Sequence, residues 1–353
     1  MTTAPLRVLV LGASYGLLPG LKLALAGHAV TLVGRADEIA AMAARPLTVD
    51  LPLRRSQQRL VLQGNVAAQA APGTPALTTP ALARPADTDF VLLAMQEPQF
   101  AASDVADLLR RIGQAGVPCL SLMNLPPPPF LARLGTVPPA ALAGVYSAAA
   151  AWTALPPELL TVASPDAQAV RLDPARPGQL TVTLASNFKA APFADASAQA
   201  LLHRLAHDMA HLKVDGVRVP VALVATSSPC VPLAKWPMLI AGNYRCVTDG
   251  APRTIAQAVH DDLAATQTIY EAVAALARDL GAGASDLVPF AAYATAARGL
   301  ARPSSLARAL AGGAQAVERI DRLVLNLLRA HGRDHAAVAS ISARIDRALA
   351  ANR

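Results

Sequence analysis

The stretch RVLVLGASYGLLPGLKLALAGHAVTLVGR, residues 7–35, decides the fold. It opens with an apolar run over residues 7–12 and closes with another over residues 29–33. Short apolar runs of this kind are typical of strands that are buried on both faces of a parallel sheet. Residues 17–26 have a helical pattern, and Gly27 follows them as a stop signal. The order of strand, helix and strand predicts a βαβ unit.

Two further apolar runs extend the same pattern along the chain. Residues 89–94 and residues 118–123 read as buried strands, and residues 102–113 between them read as a helix. Repeats of strand and helix build a parallel sheet that is covered by helices on both faces. We therefore expect an α/β fold that begins with a Rossmann-type, doubly wound parallel sheet.

Strand and helix signals continue to alternate up to about residue 220, and beyond about Pro232 every signal is helical. The predicted elements in this part are strands over residues 181–184 and 217–221 and helices over residues 196–212, 255–280 and 314–330. We therefore expect a Rossmann-type NADP-binding domain over residues 1–220. An all-helical C-terminal domain, which would bind substrate and form dimers, is expected over residues 221–353.

The composition excludes several classes of protein. The 353 residues are 53% apolar and 16% charged, which is a globular composition. The net charge of +7 comes from scattered arginines and not from basic runs with interleaved aromatics, which favours a small anionic ligand over nucleic acid. The uncharged stretches are broken by Pro and Ser, and no secretory signal precedes the first strand. We expect a cytoplasmic protein without a membrane segment.

Neither the cysteines nor the histidines suggest a metal site or a disulfide framework. Cys119, Cys230 and Cys246 are odd in number, far apart and without CxxC spacing, which indicates a reducing compartment. Three histidines are spaced at helical intervals over residues 203–211. The outer two are separated by about 12 Å of helix, so the three cannot bind one ion. We expect no metal.

The turn after the first predicted strand is the first candidate site. At this place in a Rossmann domain, backbone N–H groups and a helix N-terminus bind the pyrophosphate of a dinucleotide. The pattern is a shortened G-x-G-x-x-G, and the candidate cofactor-binding residues are Gly12, Ala13, Ser14, Tyr15 and Gly16. Two alternatives stay open. The same letters match the G-x-S-x-G of hydrolases, which would make Ser14 a nucleophile, and a tight turn of this composition can also bind nothing.

The residue that follows the second strand bears on the choice of cofactor. A carboxylate there would indicate NAD, but the sequence reads Gly34-Arg35. An arginine can bind a ribose 2′-phosphate with two parallel hydrogen bonds, so the sequence favours NADP. A solvated surface arginine is the alternative interpretation.

Residues 23–35 (LALAGHAVTLVGR), residues 39–49 (IAAMAARPLTV) and the two-domain layout resemble the ketopantoate reductase (2-dehydropantoate 2-reductase) family. The resemblance implies that Asn124, in the stretch LMNL, contacts substrate and nicotinamide. It also places Gln96 where the family has a lysine near the cofactor phosphate. Gln can still donate a hydrogen bond there, although it carries no charge.

The family's proton-donating lysine stands in a Trp-x-Lys-Leu stretch, and this chain reads WPML over residues 236–239, with Met238 at the lysine position. Lys235 comes three residues earlier, on the same face if this turn is helical. The resemblance therefore points to Lys235 as the replacement donor, with Asn243 beside the family's asparagine position. If Lys235 is solvated, the donor would be water, Asn243, Tyr244 or Ser305.

Two more site residues follow from the same resemblance. The family has a Ser-Ser step and, about a dozen residues later, a glutamate that binds a substrate hydroxyl. Ser305 belongs to the matching step, and Glu318 is the acid nearest to the second position. The catalytic candidates are thus Lys235, Asn124, Asn243, Ser305 and Glu318, and we expect them to face the cofactor across a cleft between the domains.

These residues predict an NADPH-dependent reductase of a small 2-oxo acid or a related oxo or imino compound. Such a reaction needs a held nicotinamide, a proton donor for the developing alkoxide and polar groups for the substrate carboxylate. We expect an anionic small-molecule substrate and a homodimer. The alternative is a catalytically silent protein that binds NADP(H) as a sensor or partner. The loss of the family's lysine at Met238 and of its glutamate near residues 316 and 317 favours this alternative.

Overall fold

The computed structural model describes residues 4–53 and 57–353, and the chain forms two compact units. Unit 1 comprises the described parts of Met1–Met95, Gln99–Met123 and Ala150–Ser227. Unit 2 comprises Gln96–Pro98, Asn124–Ala149 and Ser228–Arg353. The division of the chain into domains at residue 220 stays a prediction. Unit 1 continues to Ser227, and two segments from the first half of the chain belong to unit 2.

The strands of the described chain all begin before residue 226. They are β1 (Arg7–Leu11), β2 (Ala29–Val33), β3 (Leu47–Pro52), β4 (Arg59–Gly64), β5 (Ala76–Thr78), β6 (Phe90–Leu93), β7 (Cys119–Leu122), β8 (Leu160–Ala163), β9 (Gln168–Val170), β10 (Gln179–Leu184), β11 (Phe188–Ala190), β12 (Lys213–Val214), β13 (Val217–Arg218) and β14 (Leu223–Ala225).

The main sheet has eight strands in the described chain, in the order β14-β11-β8-β7-β6-β1-β2-β5. All neighbouring strands run parallel except β11 and β8, which are antiparallel. At the carboxyl end of β1, Leu11 pairs with Val33 of β2 and with Leu93 of β6. The order of β5-β2-β1-β6-β7-β8 is that of a Rossmann fold, so the predicted fold class is confirmed. The turn after β1 lies where such folds bind ligands.

A second, four-stranded sheet with the order β4-β3-β10-β9 belongs to the same unit. Strands β3 and β4 form an antiparallel hairpin, and β10 pairs with β3 in parallel and with β9 in the antiparallel direction. The alternating burial of β3, with Leu47, Val49 and Leu51 fully buried, explains why this strand packs one face on the core. From the sequence, residues 60–63 are strand-like and residues 181–184 are expected to form a strand, and β4 and β10 lie there. The rest of residues 51–89 reads as an edge excursion and loop, and the sequence does not predict the pairing of these strands, because the partners are far apart in the chain.

The α-helices of the described chain are distributed over both units. They are α1 (Leu17–Leu25), α2 (Ala36–Ala43), α3 (Ser103–Ala115), α4 (Pro128–Leu134), α5 (Ala149–Trp152), α6 (Ala196–His211), α7 (Trp236–Met238), α8 (Ile255–His260), α9 (Leu263–Asp279), α10 (Phe290–Ala297), α11 (Ser305–Ala311), α12 (Ile320–Ala330) and α13 (Ala336–Ala351).

Two predicted helices differ from the observed ones. The helix expected over residues 255–280 is divided into α8 and α9, because the Asp262 side chain accepts a hydrogen bond from the N–H of Ala265 and caps a new helix. The helix expected over residues 314–330 begins only at Ile320. No helix of the described chain is both long enough and apolar enough for a bilayer crossing.

A buried lysine ties α1 to the chain before β14. Lys22 has no exposed surface, and its Nζ donates to the carbonyl oxygens of Pro220 at 2.6 Å, Val219 at 3.3 Å and Val221. Burial lowers the pKa of Lys22 to about 7, whereas three carbonyl acceptors favour the ammonium form. Val221 has a φ of 66°, a strained value for a β-branched residue, and this contact helps to hold it.

Replacing Lys22 by Met is expected to destabilise the protein by about 2–4 kcal/mol, because two buried carbonyl groups and a partly buried one lose their donor while the volume is kept. Urea unfolding measures the change. Lys213→Met, at an exposed lysine, is the matched control. A Lys22→Met protein as stable as the control variant would show that the three contacts contribute nothing.

Candidate active site

The glycine turn of unit 1 is shaped by packing on its neighbours. Gly12 has a φ of +101°, its N–H donates to Val33 O at 2.9 Å, and its carbonyl accepts from the N–H of Gly16 at 3.0 Å. A Cβ on Gly12 would lie 2.5 Å from Met95 Cγ and 2.6 Å from Ala94 O. A Cβ on Gly16 would collide with the carbonyl oxygen of Gly12. Both glycines are therefore required by the protein's own close contacts, before any ligand is considered.

The three residues between these glycines present backbone donors at the start of α1. In the described chain, the N–H groups of Ala13, Ser14 and Tyr15 have no acceptor. The Tyr15 side chain turns away from the α1 N-terminus, since its hydroxyl donates to Ala167 O at 2.7 Å and its ring packs edge-on against Phe188. Burial raises the pKa of Tyr15. The turn can therefore offer N–H groups to an anion.

The hydrolase interpretation of the same turn finds no support. Ser14 is exposed, and within residues 4–53 and 57–353 its hydroxyl has no hydrogen bond to a histidine or a carboxylate. A serine nucleophile needs a base within hydrogen-bond reach.

Gly12→Ala is expected to destabilise the protein by about 2–4 kcal/mol and to abolish dinucleotide binding, because the new Cβ meets Met95 and Ala94 at a positive φ. Thermal unfolding and ligand titration measure the two effects. Gly250→Ala is the matched control, since nothing lies within 4 Å of a Cβ there. Equal behaviour of the two variants would contradict this account of the turn.

Arg35, the residue predicted to bind a 2′-phosphate, lies at the amino end of α2. Its side chain is 78% exposed, and its Nε lies 3.4 Å from Asp37 Oδ1. An exposed pair at that distance is weak, so the guanidinium can turn to an anionic ligand.

Two of the predicted catalytic residues meet in unit 2. Asn124 lies two residues after the end of β7. Lys235 is the last residue of a 3₁₀ turn and is followed by the fully buried Trp236. The Nζ of Lys235 donates to Asn124 Oδ1 at 3.4 Å. The Lys235 side chain is half-buried. The buried Trp236 therefore anchors the turn from which the ammonium group reaches Asn124.

Gly242 stands at the position where the family has an asparagine, and the space beside it is filled by the side chain of Tyr293. Gly242 lies in a π-helical turn over Leu239–Asn243, and a Cβ on it would collide with the hydroxyl of Tyr293. That hydroxyl donates to Met238 O at 3.1 Å. Burial raises the pKa of Tyr293, so the phenol stays protonated.

Glu318 is buried beside Asn124. Burial raises the pKa of the Glu318 carboxyl group to about 7, and the nearby Glu97 carboxylate contributes to the rise. Hydrogen bonding from the backbone N–H groups of Glu97, Asn124 and Leu125 has the opposite effect and lowers the pKa of Glu318. Glu318 Oε1 is buried without a hydrogen-bond partner among the described residues. Near neutral pH the group is therefore divided between its acid and its carboxylate form.

Glu97 is a site residue that the sequence did not reveal. It has no exposed surface, and its carboxylate accepts from the N–H groups of Ser147 at 3.0 Å and Ala148 at 2.8 Å. Tyr146 lies close enough to Glu97 and Glu318 that both carboxyl groups raise its pKa, after the larger effect of burial. Nothing in the stretch MQEPQ marks this glutamate as buried, because its partners come from a distant part of the chain.

The Glu318 backbone is fixed by Tyr244, one of the predicted alternative donors. The Tyr244 hydroxyl donates to Glu318 O and accepts from the N–H of Ile320 at 3.1 Å. Burial raises the pKa of Tyr244 strongly. A hydroxyl committed to two backbone groups positions Glu318 and is not available as a proton donor.

The remaining predicted site residues are Asn243, Ser305 and Gln96. Ser304 is the buried member of the Ser-Ser step, and its Oγ donates to Asn243 O at 2.7 Å and caps α11. Ser305 is exposed. Gln96 is also exposed and belongs to unit 2. The described residues contain no group of three or more metal-ligating side chains that could hold an ion.

Comparison with solved structures shows the fold. A PanE/ApbA family ketopantoate reductase from Ralstonia eutropha JMP134 is 19% identical, with a TM-score of 0.64 over 98% of this chain and 99% of that one. D-mandelate dehydrogenase, solved with NADH and anilino(oxo)acetate, is 12% identical, with a TM-score of 0.66 over 98% and 99%. A ketopantoate reductase from Staphylococcus aureus, described as dimeric, is 12% identical, with a TM-score of 0.63 over 99% and 100%.

The chain has the fold of the ketopantoate reductases, as its first fifty residues and its layout implied, and the structural likeness covers nearly the whole chain. At these identities, the likeness extends to the fold and not to the substrate. No protein-family model and no curated protein matches the sequence.

Proposed function

We propose that this chain is an NADPH-dependent reductase of a small 2-oxo acid or a related oxo or imino compound. The observation that carries the proposal is the contact of Lys235 Nζ with Asn124 Oδ1 at 3.4 Å, beside the buried carboxyl group of Glu318. A cation, an amide and a partly protonated acid are the groups that bind and protonate a carbonyl compound with a carboxylate. The fold is shared with enzymes that reduce or oxidise such compounds.

The residues of unit 1 fit a phosphorylated dinucleotide. The N–H groups of Ala13, Ser14 and Tyr15 have no acceptor in the described chain, and they lie at the amino end of α1. They would bind the pyrophosphate, and the exposed Arg35 would bind the 2′-phosphate. A bound nicotinamide dinucleotide supplies the hydride of the reaction.

The residues of unit 2 would move the proton and hold the substrate. Lys235 donates a proton to the carbonyl oxygen as negative charge develops on it, and its ammonium form also attracts an anionic substrate. Asn124 holds the Lys235 side chain through its Oδ1 and keeps its amide N–H₂ for the substrate. In its acid form, Glu318 can donate a hydrogen bond to a substrate oxygen.

The proposed donor differs in position from the family's lysine. Met238 stands at that place, and its carbonyl oxygen accepts from the hydroxyl of Tyr293. Together with the changed residue at Gly242, this indicates a substrate other than ketopantoate. A homodimer and an anionic small-molecule substrate are part of the proposal.

An assay of NADPH oxidation over a broad panel of 2-oxo acids and cyclic imines tests the proposed function. We expect turnover with at least one compound and saturation with NADPH. Tight NADPH binding without turnover across the panel would favour the second candidate, a catalytically silent sensor. The observation that favours a sensor is that Met238 stands at the position of the family's proton-donating lysine. Absence of both binding and turnover would contradict both functions.

A further inference from the structure

The carboxylate of Glu38 lies close to the glycine turn and to the end of β2. A Cβ built on Gly34 would be 3.1 Å from Glu38 Oε2 and 3.1 Å from the Cβ of Ala13. Glu38 is in the first turn of α2. In Rossmann folds the adenosine ribose of a dinucleotide lies between these two places, the turn after the first strand and the end of the second. Glu38 is therefore next to the ribose position, although the sequence pattern pointed only to Arg35.

A second arginine reaches the same place from another part of unit 1. Arg171 comes directly after β9, and its Nη2 lies 2.5 Å from Glu38 Oε1. The side chains of Arg171 and Glu38 are 22% and 12% exposed. The hydrogen bond from Tyr15 to Ala167 fastens the chain before β9 to the glycine turn, so this segment borders the turn and α2 together.

The guanidinium of Arg171 has donors that its surroundings do not use. Its Nε and Nη2 are buried, and in the described chain neither makes a hydrogen bond of good geometry, even though Nη2 is close to Glu38. A buried guanidinium N–H without an acceptor is unfavourable. An anion bound beside Glu38 would satisfy these donors, and a phosphate has three strong acceptor oxygens.

We propose that Arg171 is a second cation for the ribose 2′-phosphate and that the Glu38–Arg171 pair determines how strongly the protein prefers NADPH to NADH. The inference rests on the proposed function and adds a specificity determinant to it. Arg35, with Asp37 beside it, is too exposed to balance a phosphate group of nearly two negative charges alone. Arg171 adds the charge, whereas Glu38 opposes the phosphate and can accept a hydrogen bond from a ribose hydroxyl.

Calorimetric titration with 2′,5′-ADP and with 5′-AMP tests the pair without any reaction. We expect Arg171→Met to weaken binding of 2′,5′-ADP roughly 10-fold and to leave 5′-AMP within about 2-fold. Glu38→Gln is expected to strengthen binding of 2′,5′-ADP several-fold, because it removes a like charge and releases Arg171. Arg176→Met is the matched control, since Arg176 follows in the same segment and pairs with Asp173 on the surface.

The outcomes separate this inference from the proposed function. If Arg171→Met weakens both ligands equally or changes neither, Arg171 has no role in 2′-phosphate recognition and the inference is overturned, while the proposed function stands. If the wild-type protein binds neither ligand, both fail. A gain of affinity in Glu38→Gln supports the inference independently of folding, because a partly unfolded variant cannot bind more tightly.

Discussion

Replacing Lys235 by Gln is expected to lower kcat for the best substrate of the panel by about 10²–10⁴-fold, the range for the loss of a positioned proton donor. Gln is a neutral side chain with an N–H donor one bond closer to the backbone, so the change removes the transferable proton and the charge and also weakens the long contact with Asn124 Oδ1. Because no cofactor contact is lost in unit 1, the Kd for NADPH should stay within about 2-fold. Steady-state kinetics and a fluorescence titration measure the two quantities.

Lys189→Gln is the control for this variant, because Lys189 is an exposed lysine of unit 1. It removes the same charge from the chain and should leave kcat unchanged. If Lys235→Gln also retains full kcat, Lys235 is not the proton donor. The proposed replacement of the family's lysine would then be wrong.

Replacing Glu318 by Gln is expected to remove a pH dependence of stability of about 3 kcal/mol. The folded chain binds a proton at Glu318 up to a pKa of about 7, whereas the ordinary glutamate value is 4.5. The folded state therefore binds more protons than the unfolded state between these values, and the free energy of unfolding falls as the pH rises through this window. The stabilisation is complete below the unfolded pKa and is lost above the folded one.

Urea unfolding at about pH 5 and about pH 8 measures this dependence. Relative to wild type, Glu318→Gln should be more stable at the higher pH than at the lower one, because groups that titrate in both proteins cancel in the comparison. Glu158→Gln, at an exposed glutamate, should follow wild type at both values. A wild-type protein and a Glu318→Gln variant with parallel pH profiles would mean that Glu318 titrates normally in the folded chain.

The fold could be read from residues 7–35 because the signals there are local. A buried parallel strand, a glycine turn and a helix each have a short-range pattern, and the structure places β1, α1 and β2 on those residues. The second sheet could not be read in the same way. Its strand β3 pairs with β10, far along the chain, and such pairing has no local signal.

The candidate site shows the same division. Lys235, Asn124 and Glu318 came from motif positions and lie together in unit 2. No motif position pointed to Glu97 or Tyr293, because the surroundings of these two residues are set by tertiary packing. A glutamate in a polar stretch is usually exposed, and the N–H donors of residues 147 and 148 help to make the burial of Glu97 possible.

Titration of the intact protein with NADPH, followed by the fluorescence of the reduced nicotinamide, tests the central claim most directly. The account predicts saturable binding that weakens with added salt, because backbone donors after β1 and the guanidinium of Arg35 bind phosphate groups. It also predicts that Gly12→Ala abolishes the signal while Gly250→Ala keeps it. An unchanged fluorescence up to millimolar NADPH would contradict dinucleotide binding, and the reductase assignment with it.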